Sequence, residues 1–289
     1  MKYSICSISF RHELVSLLEL VRFAGDSGFA GIELWGVHGL AALRQRPLDI
    51  PLLTEEMDRR GIGISMISHY ADLNADAAGF PAVEKHWQEL IELARAFRTD
   101  KIRIFAGNRG SRECGVRDWE TVALRLRLLA DRAAQHGIRT LIETHPRTYA
   151  DRLESAIRLI RDADHPGIGI NLDFLHLWES GTSPEEAWRS LRPFVLHAHL
   201  KNVLRADGGH VFAPENVYAP SGSRSGMVPL AEGAVDYRRV LPLMQAACPD
   251  VQASLEWFGR DPFHYLSQEL LWLESVRASP GSSKLSPSL

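Results

Sequence analysis

The stretch LIETHP at 141–146 is an apolar run that stops at a carboxylate and, two residues on, at an imidazole. Three later stretches share that form: IGINLDFLH at 168–176, VLHAHLK at 195–201 and VQASLEW at 251–257. Alternate side chains of a strand share a face, so Leu141, Glu143 and His145 point one way and Ile142 the other. The same parity groups Asn171 with Asp173, His197 with His199 and Lys201, and Ser254 with Glu256. If the four runs are neighbouring parallel strands, Glu143, Asp173, His199 and Glu256 converge at their C-terminal ends.

Strand and helix patterns alternate through the rest of the chain. Residues 3–9 read as a first strand, and 13–26 as an amphipathic helix with Leu14, Leu17, Leu18 and Val21 on one side. The strand 31–35 ends with Glu33 and Trp35 on one face, where they either close the barrel top or touch substrate. A helix over 51–60 stopped by Gly61 leads to a third strand over 62–68. The helix 82–97 precedes the strand 101–106, which places Arg103 and Phe105 together. An arginine inside a strand implies an anionic neighbour, either a substrate group or a structural partner such as Glu33. Helices over 118–136 and 155–163 feed the Glu143 and Asp173 strands, Pro184 opens the segment before the His199 strand, and helices over 235–247 and 263–276 flank the last strand. Eight such units predict one (β/α)₈ (TIM) barrel over 1–277, with a Ser- and Pro-rich tail at 278–289 expected to be disordered. Active sites of such barrels lie at the C-terminal face, and the four strand-end residues fall there, on strands five to eight.

Bulk composition narrows the function classes. The 289 residues are 45% hydrophobic and 24% charged with a net charge of -3, so a large core is available and the basic footprint of a nucleic-acid binder is missing. Cys6, Cys114 and Cys248 are far apart and form no C-x-x-C pair, which argues against a thiolate zinc site or a disulfide framework and fits a reducing cytoplasm. No run approaches the roughly 20 apolar residues of a membrane span, and MKYSICSISF alternates as a strand does, not as a signal-peptide core. The expected partner is a small-molecule substrate, not nucleic acid or membrane, with assembly into a homo-oligomer left open.

Two Glu, one Asp and one His offer mostly hard oxygen donors with one imidazole, a set suited to Mn²⁺ first and to Mg²⁺ or Co²⁺ next. With four protein ligands, one or two coordination positions remain for a substrate bearing neighbouring oxygens. Such a metal polarises a carbonyl and favours loss of the adjacent proton. His145 and His176 lie just past the ligands, where an acid and a base are wanted, and the residues leave open which is which. Lys201, one strand step beyond His199, is placed to neutralise an oxyanion or a carboxylate. His197 lies deeper and reads as a packing or hydrogen-bonding residue. After Lys201 the rhythm breaks for about thirty residues, and Tyr218 and Arg224 on that long loop become candidates for substrate contact. His12, His38, His86, His136, His165, His210 and His264 read as surface residues.

GIELWG, ETHPRTYAD, NLDFLHLWESG, HAHLKN and SLEWFG together resemble the xylose-isomerase-like barrels, which include sugar epimerases, inosose dehydratases and an endonuclease. MKYSICSISFRH, KIRIFAG, INLDFLHLWESG, ASLEWFG and above all the loop VFAPENVYAPSGSRSGMVPLAEG are similar to one group, the 3-dehydroshikimate dehydratases of the petrobactin siderophore pathway. The resemblance implies a divalent metal on Glu143, Asp173, His199 and Glu256 and acid-base work by His145 and His176. It also implies Lys201, Arg103, Tyr70 and Arg224 around the substrate, and protocatechuate as product. One departure stands at the third strand end, where His69 replaces an expected acidic residue. Protocatechuate serves siderophore assembly or ring-cleavage catabolism, and both need the same enzyme. The alternatives are a ketose 3-epimerase or inosose dehydratase on the same site, a DNA-repair endonuclease and a non-catalytic binding barrel. Arg103, Lys201 and Arg224 count against an epimerase. The net charge and single ligand set count against a nuclease.

Overall fold

In the computed structural model, which describes residues 1–278, parallel strands close into a barrel in chain order. These are β1 (Lys2–Cys6), β2 (Gly31–Trp35), β3 (Gly63–Ser68), β4 (Lys101–Ile104), β5 (Arg139–Glu143), β6 (Ile168–Asp173) and β7 (Val195–Leu200). A short antiparallel pair, β8 (Asn202–Val203) and β9 (Met227–Val228), interrupts the barrel before β10 (Gln252–Leu255) closes it against β1, with Lys2 opposite Gln252. The helices are α1 (Leu17–Asp26), α2 (Gly36–Gln45), α3 (Asp49–Arg60), α4 (Phe80–Ala96), α5 (Val116–Ala134), α6 (Leu153–Ala163), α7 (Phe174–Glu179), α8 (Pro184–Leu191), α9 (Pro214–Val217), α10 (Tyr237–Ala247) and α11 (Pro262–Ala278).

Strand alternation sorts the side chains. Ile142, Leu172, Ala198 and Leu255 join a continuous apolar core with helix residues such as Leu90, Leu126 and Leu159, each large one contributing roughly 1.5–3 kcal/mol on burial. Their neighbours Glu143, Asp173, His199 and Glu256 are buried too, and they gather at one end of the barrel. In β2 against β3 the register shifts between Ile32 and Glu33, and in β6 against β7 between Ile170 and Asn171. Such irregularities re-aim side chains beside functional sites.

Several elements differ from the sequence expectations. β1 stops at Cys6, and Ser7–Phe10 turn as a 3₁₀ helix. The serines there are structural acceptors: Ser7 Oγ takes the backbone N–H of Trp35 at 2.8 Å and Ser9 Oγ that of Trp257 at 2.9 Å, tying β1 to the ends of β2 and β10. α1 begins only at Leu17, because Ser16 and Glu19 form a capping box, and Leu14 stands outside the helix, fully exposed. α3 ends as expected at Gly61, whose φ of 65° is the left-handed cap glycine favours. α2 had no clear apolar period and is an addition. β6 ends at Asp173 as expected, but Asp173 then caps α7, so His176 rides on a helix. β5 ends at Glu143, leaving His145 beyond it. Ala278 ends α11, and the rest of the expected tail lies outside the described residues.

Candidate active site

The four expected ligands do converge. His199 is at the centre, with Nδ1 lying 3.4 Å from Glu143 Oε1, 3.8 Å from Asp173 Oδ2 and 3.9 Å from Glu256 Oε2. That nitrogen is buried without a hydrogen-bond partner among the described residues, while Nε2 is 2.8 Å from Glu33 Oε2. Burial alone would depress the His199 imidazole, but Glu33, Glu143 and Glu256 hold it well above its usual value. Burial would likewise raise Glu143, yet the Arg103 guanidinium, its Nε 2.9 Å from Oε2, and then His199 hold its carboxyl well below the usual range. Desolvated carboxylates therefore demand positive charge here. Glu143, Asp173 and His199 present donor atoms within 4.8 Å of one another, and with Glu256 the set is hard oxygens plus one imidazole, which fits a divalent cation. Glu143, His145 and His176 are equally close, but two imidazoles and one carboxylate suit such an ion less well.

The candidate acid-base groups flank this cluster. His145 and His176 have ring centroids 4.5 Å apart, and Phe105 stacks on His145 at 4.2 Å. His145 Nδ1 is 2.9 Å from the Pro146 carbonyl, so in that tautomer Nδ1 donates and Nε2 carries the lone pair. Burial, then His176, pushes His145 down to about 3, which leaves it a neutral imidazole. Asp173 ties its cluster to the His176 helix: its Oδ1 accepts the His176 backbone N–H at 3.2 Å, and its own N–H donates to Thr144 Oγ1 at 2.9 Å. His176 Nδ1 lies 2.8 Å from Glu179 Oε2. The Lys201 ammonium is 2.8 Å from Asp173 Oδ2 and pairs also with Glu256. These carboxylates outweigh desolvation and hold it well above its usual value.

A cavity of about 260 Å³ opens above the cluster, lined by Arg103, Glu143, His145, Lys201, Glu256, Tyr70 and Tyr218, with Phe105, Phe212 and Phe258 as apolar walls. Arg103 lies over the Tyr70 and Phe105 rings at 5.6 and 5.0 Å, and its Nη1 is buried without a hydrogen-bond partner among the described residues. Its main ion pair is Glu143, with Glu33 farther off at 3.8 Å. Tyr70 and Tyr218 share a hydrogen bond of 2.8 Å at the rim, and Trp35 stacks behind Tyr218. The cavity continues past Phe105, His145, Phe212 and Pro214 into an outer one of about 720 Å³ that reaches His176, Glu179 and Gly209.

Arg224 is not brought to the cavity. Its guanidinium donates to the Asn216 and Ala219 carbonyls at 3.0 and 2.9 Å, so it fastens the long loop to itself instead of meeting substrate. That loop is ordered: Ala206–Phe212 form a 3₁₀ helix, α9 follows, and the buried Asn202 side chain binds the Leu230 and Val235 carbonyls. Arg11, not singled out by the sequence, donates to the Val217 and Phe258 carbonyls and clamps the loop onto the barrel. Glu33 was left between two roles and proves to be the support of His199. His197 hydrogen-bonds Ser254 Oγ at 2.7 Å, as a deeper packing residue should. His69 turns from the cavity to His86, 2.6 Å between Nε2 atoms, and burial followed by His86 lowers it to about 4. His38, His86 and His165 are half-buried, not surface residues.

A family model described as xylose isomerase-like TIM barrel matches residues 21–278. A 3-dehydroshikimate dehydratase of Bacillus anthracis is 43% identical over 270 residues, spanning 93% of this chain and 95% of that protein. The crystal structure of AsbF, a probable 3-dehydroshikimate dehydratase of petrobactin synthesis from Bacillus anthracis, superposes with a TM-score of 0.91 at 42% identity, over 95% of this chain and 99% of that one. At the level of fold alone, a xylose isomerase-like barrel from Mycobacterium smegmatis in complex with magnesium has a TM-score of 0.71 at 20% identity, over 97% and 98%. With the family model covering nearly the whole barrel and a relative alike from end to end, the chain belongs to the xylose isomerase-like TIM barrel family.

Proposed function

We propose that this chain is a hydro-lyase, a 3-dehydroshikimate dehydratase that forms protocatechuate (3,4-dihydroxybenzoate) and water. The likeness to the Bacillus anthracis enzyme along 93% of the chain carries the reading, and the chemistry of the cavity supports it. The substrate brings a carboxylate, a ring ketone and two hydroxyls. Arg103 offers a buried unpaired N–H, Tyr70 and Tyr218 offer hydroxyls at the rim, and Phe105, Phe212 and Phe258 supply faces for a ring that becomes aromatic.

A divalent ion on Glu143, Asp173, His199 and Glu256, manganese by choice of donors and magnesium or cobalt next, would supply Lewis-acid polarisation of the ketone. His145, neutral and with Nε2 free, takes the C4 proton, and the electron pair moves to the ketone oxygen. Lys201 lies beside the cluster to balance that charge. His176 hands a proton to the C5 hydroxyl, which departs as water, and loss of a C6 proton as the ketone oxygen gains one completes the aromatic ring. Phe105 stacks on His145, and Asp173 caps the helix that carries His176, so the two imidazoles stand edge to face, ring centroids 4.5 Å apart, where the inner and outer cavities meet.

The test is ultraviolet detection of protocatechuate from 3-dehydroshikimate with the metal-loaded enzyme, with and without chelator. Product that appears only with metal supports the reading, with Glu143→Ala and Glu256→Ala losing both ion and turnover. A protein that leaves this substrate untouched but epimerises a free ketose would replace it.

A further inference from the structure

The geometry points to Glu179 as the residue that positions His176, held to that task by the loop that follows β8. The catalytic consequence rests on the dehydratase reading above. α7 is six residues long and carries three site groups: Asp173 caps it, His176 is in its first turn and Glu179 ends it. Glu179 Oε2 accepts from His176 Nδ1 at 2.8 Å. The other ring nitrogen, Nε2, is buried without a hydrogen-bond partner among the described residues, 3.7 Å from Asp173 Oδ2. An imidazole with a carboxylate on Nδ1 keeps its proton there, so Nε2 becomes the nitrogen that trades protons with a bound ring.

The remaining oxygen of Glu179 faces the loop backbone. A Cβ added at Gly209 would stand 1.4 Å from Glu179 Oε1, so the loop backbone lies directly against the carboxylate. Gly209 does not have a positive φ, and alanine is allowed there by backbone alone. The residue thus acts by its missing side chain. A larger residue there makes the Glu179 carboxylate shift, which links loop placement to the orientation of the His176 ring it holds.

The test uses ¹⁵N-histidine-labelled, magnesium-loaded protein, with His176 assigned by its loss in a His176→Gln variant. Two-bond proton–nitrogen spectra should show His176 protonated at Nδ1 in the unaltered protein. That form should be lost in both Glu179→Ala and Gly209→Ala. In turnover, Glu179→Ala should lower kcat by about 10–100-fold with KM within about 3-fold and metal content unchanged. Gly209→Ala should move the same way, and Glu179→Gln, whose amide oxygen still accepts a hydrogen bond, should regain most of kcat. The inference is overturned if His176 keeps its Nδ1 proton in Glu179→Ala, if that variant turns over within about 2-fold of the parent, or if Glu179→Gln is no better than Glu179→Ala. Should the parent fail to dehydrate the substrate, the spectra still decide the positioning, and only the dehydratase reading falls.

Discussion

His199 has two nitrogens with opposite duties. Nε2 is held by Glu33, and Nδ1 is thereby aimed at three carboxylates. Glu33→Gln keeps the shape but loses the charge that supports the imidazole, so Mn²⁺ or Mg²⁺ should bind about 10–100-fold more weakly in a calorimetric titration. Unchanged affinity would remove Glu33 from the site. Arg103 meets Glu143 through Nε and lies over two aromatic rings, a planar arrangement an ammonium cannot copy. Arg103→Lys should therefore lower kcat/KM about tenfold or more, and activity equal to the parent would contradict the assignment. His145→Ala should abolish solvent deuterium exchange at C4, whereas His176→Ala should retain exchange without dehydration; the reverse pattern would swap their roles. Parity along single strands was enough to collect Glu143, Asp173, His199 and Glu256. It could not assign Glu33, because which acid coordinates and which supports an imidazole depends on register between strands, including the shift at Ile32 and Glu33.

Among the elements, the strand-helix rhythm was legible because the helix-facing positions of each strand, such as Ile102 and Ile104 or Ile170 and Leu172, stay apolar. What escaped were short pieces made by capping and side-chain hydrogen bonds: the 3₁₀ turn at Ser7–Phe10, α7 behind its Asp173 cap, and the knot around Asn202. Arg224 was read as a substrate contact because it sits on a long loop, and only the positions of the Asn216 and Ala219 carbonyls reveal it as a fastener. α11 carries a testable group of its own. Glu269 is buried and accepts the Leu230 backbone N–H at 3.0 Å, yet burial pushes its carboxyl up to about 7. A carboxyl raised in the folded state binds its proton more tightly there than in the unfolded chain, so its contribution to stability falls as pH climbs from about 4.5 to 7. Relative to the parent, Glu269→Gln should gain stability over that window, by at most roughly 3 kcal/mol at pH 8. A difference in denaturation midpoint that does not vary with pH would show that Glu269 does not titrate in this way.

At the scale of the whole molecule, β5, β6, β7 and β10 lie side by side in the closed barrel, and each delivers a candidate ligand within one residue of its C-terminal end. An ion bound there bridges four strands and should stabilise the fold by mass action, about 2.7 kcal/mol when its free concentration is a hundred times its dissociation constant. Thermal unfolding with Mn²⁺ should show a rise in midpoint that Glu256→Ala removes, and an equal rise in the variant would place the ion elsewhere. No helix among the described residues is long and apolar enough to cross a membrane. The seam between β1 and β10 joins the two most distant strands of the barrel, with Tyr3 opposite Ala253 and Ile5 opposite Leu255, and Glu256 follows immediately. Contacts this remote in sequence are the slowest to form. A ribosome making this chain exposes β5, β6 and β7 with their buried carboxylate, aspartate and imidazole well before the strand that completes both the wall and the ligand set. Until that last strand slots in, Lys201 lacks its Glu256 partner and the candidate ligand set is one carboxylate short, so closing the wall and completing the site are one event.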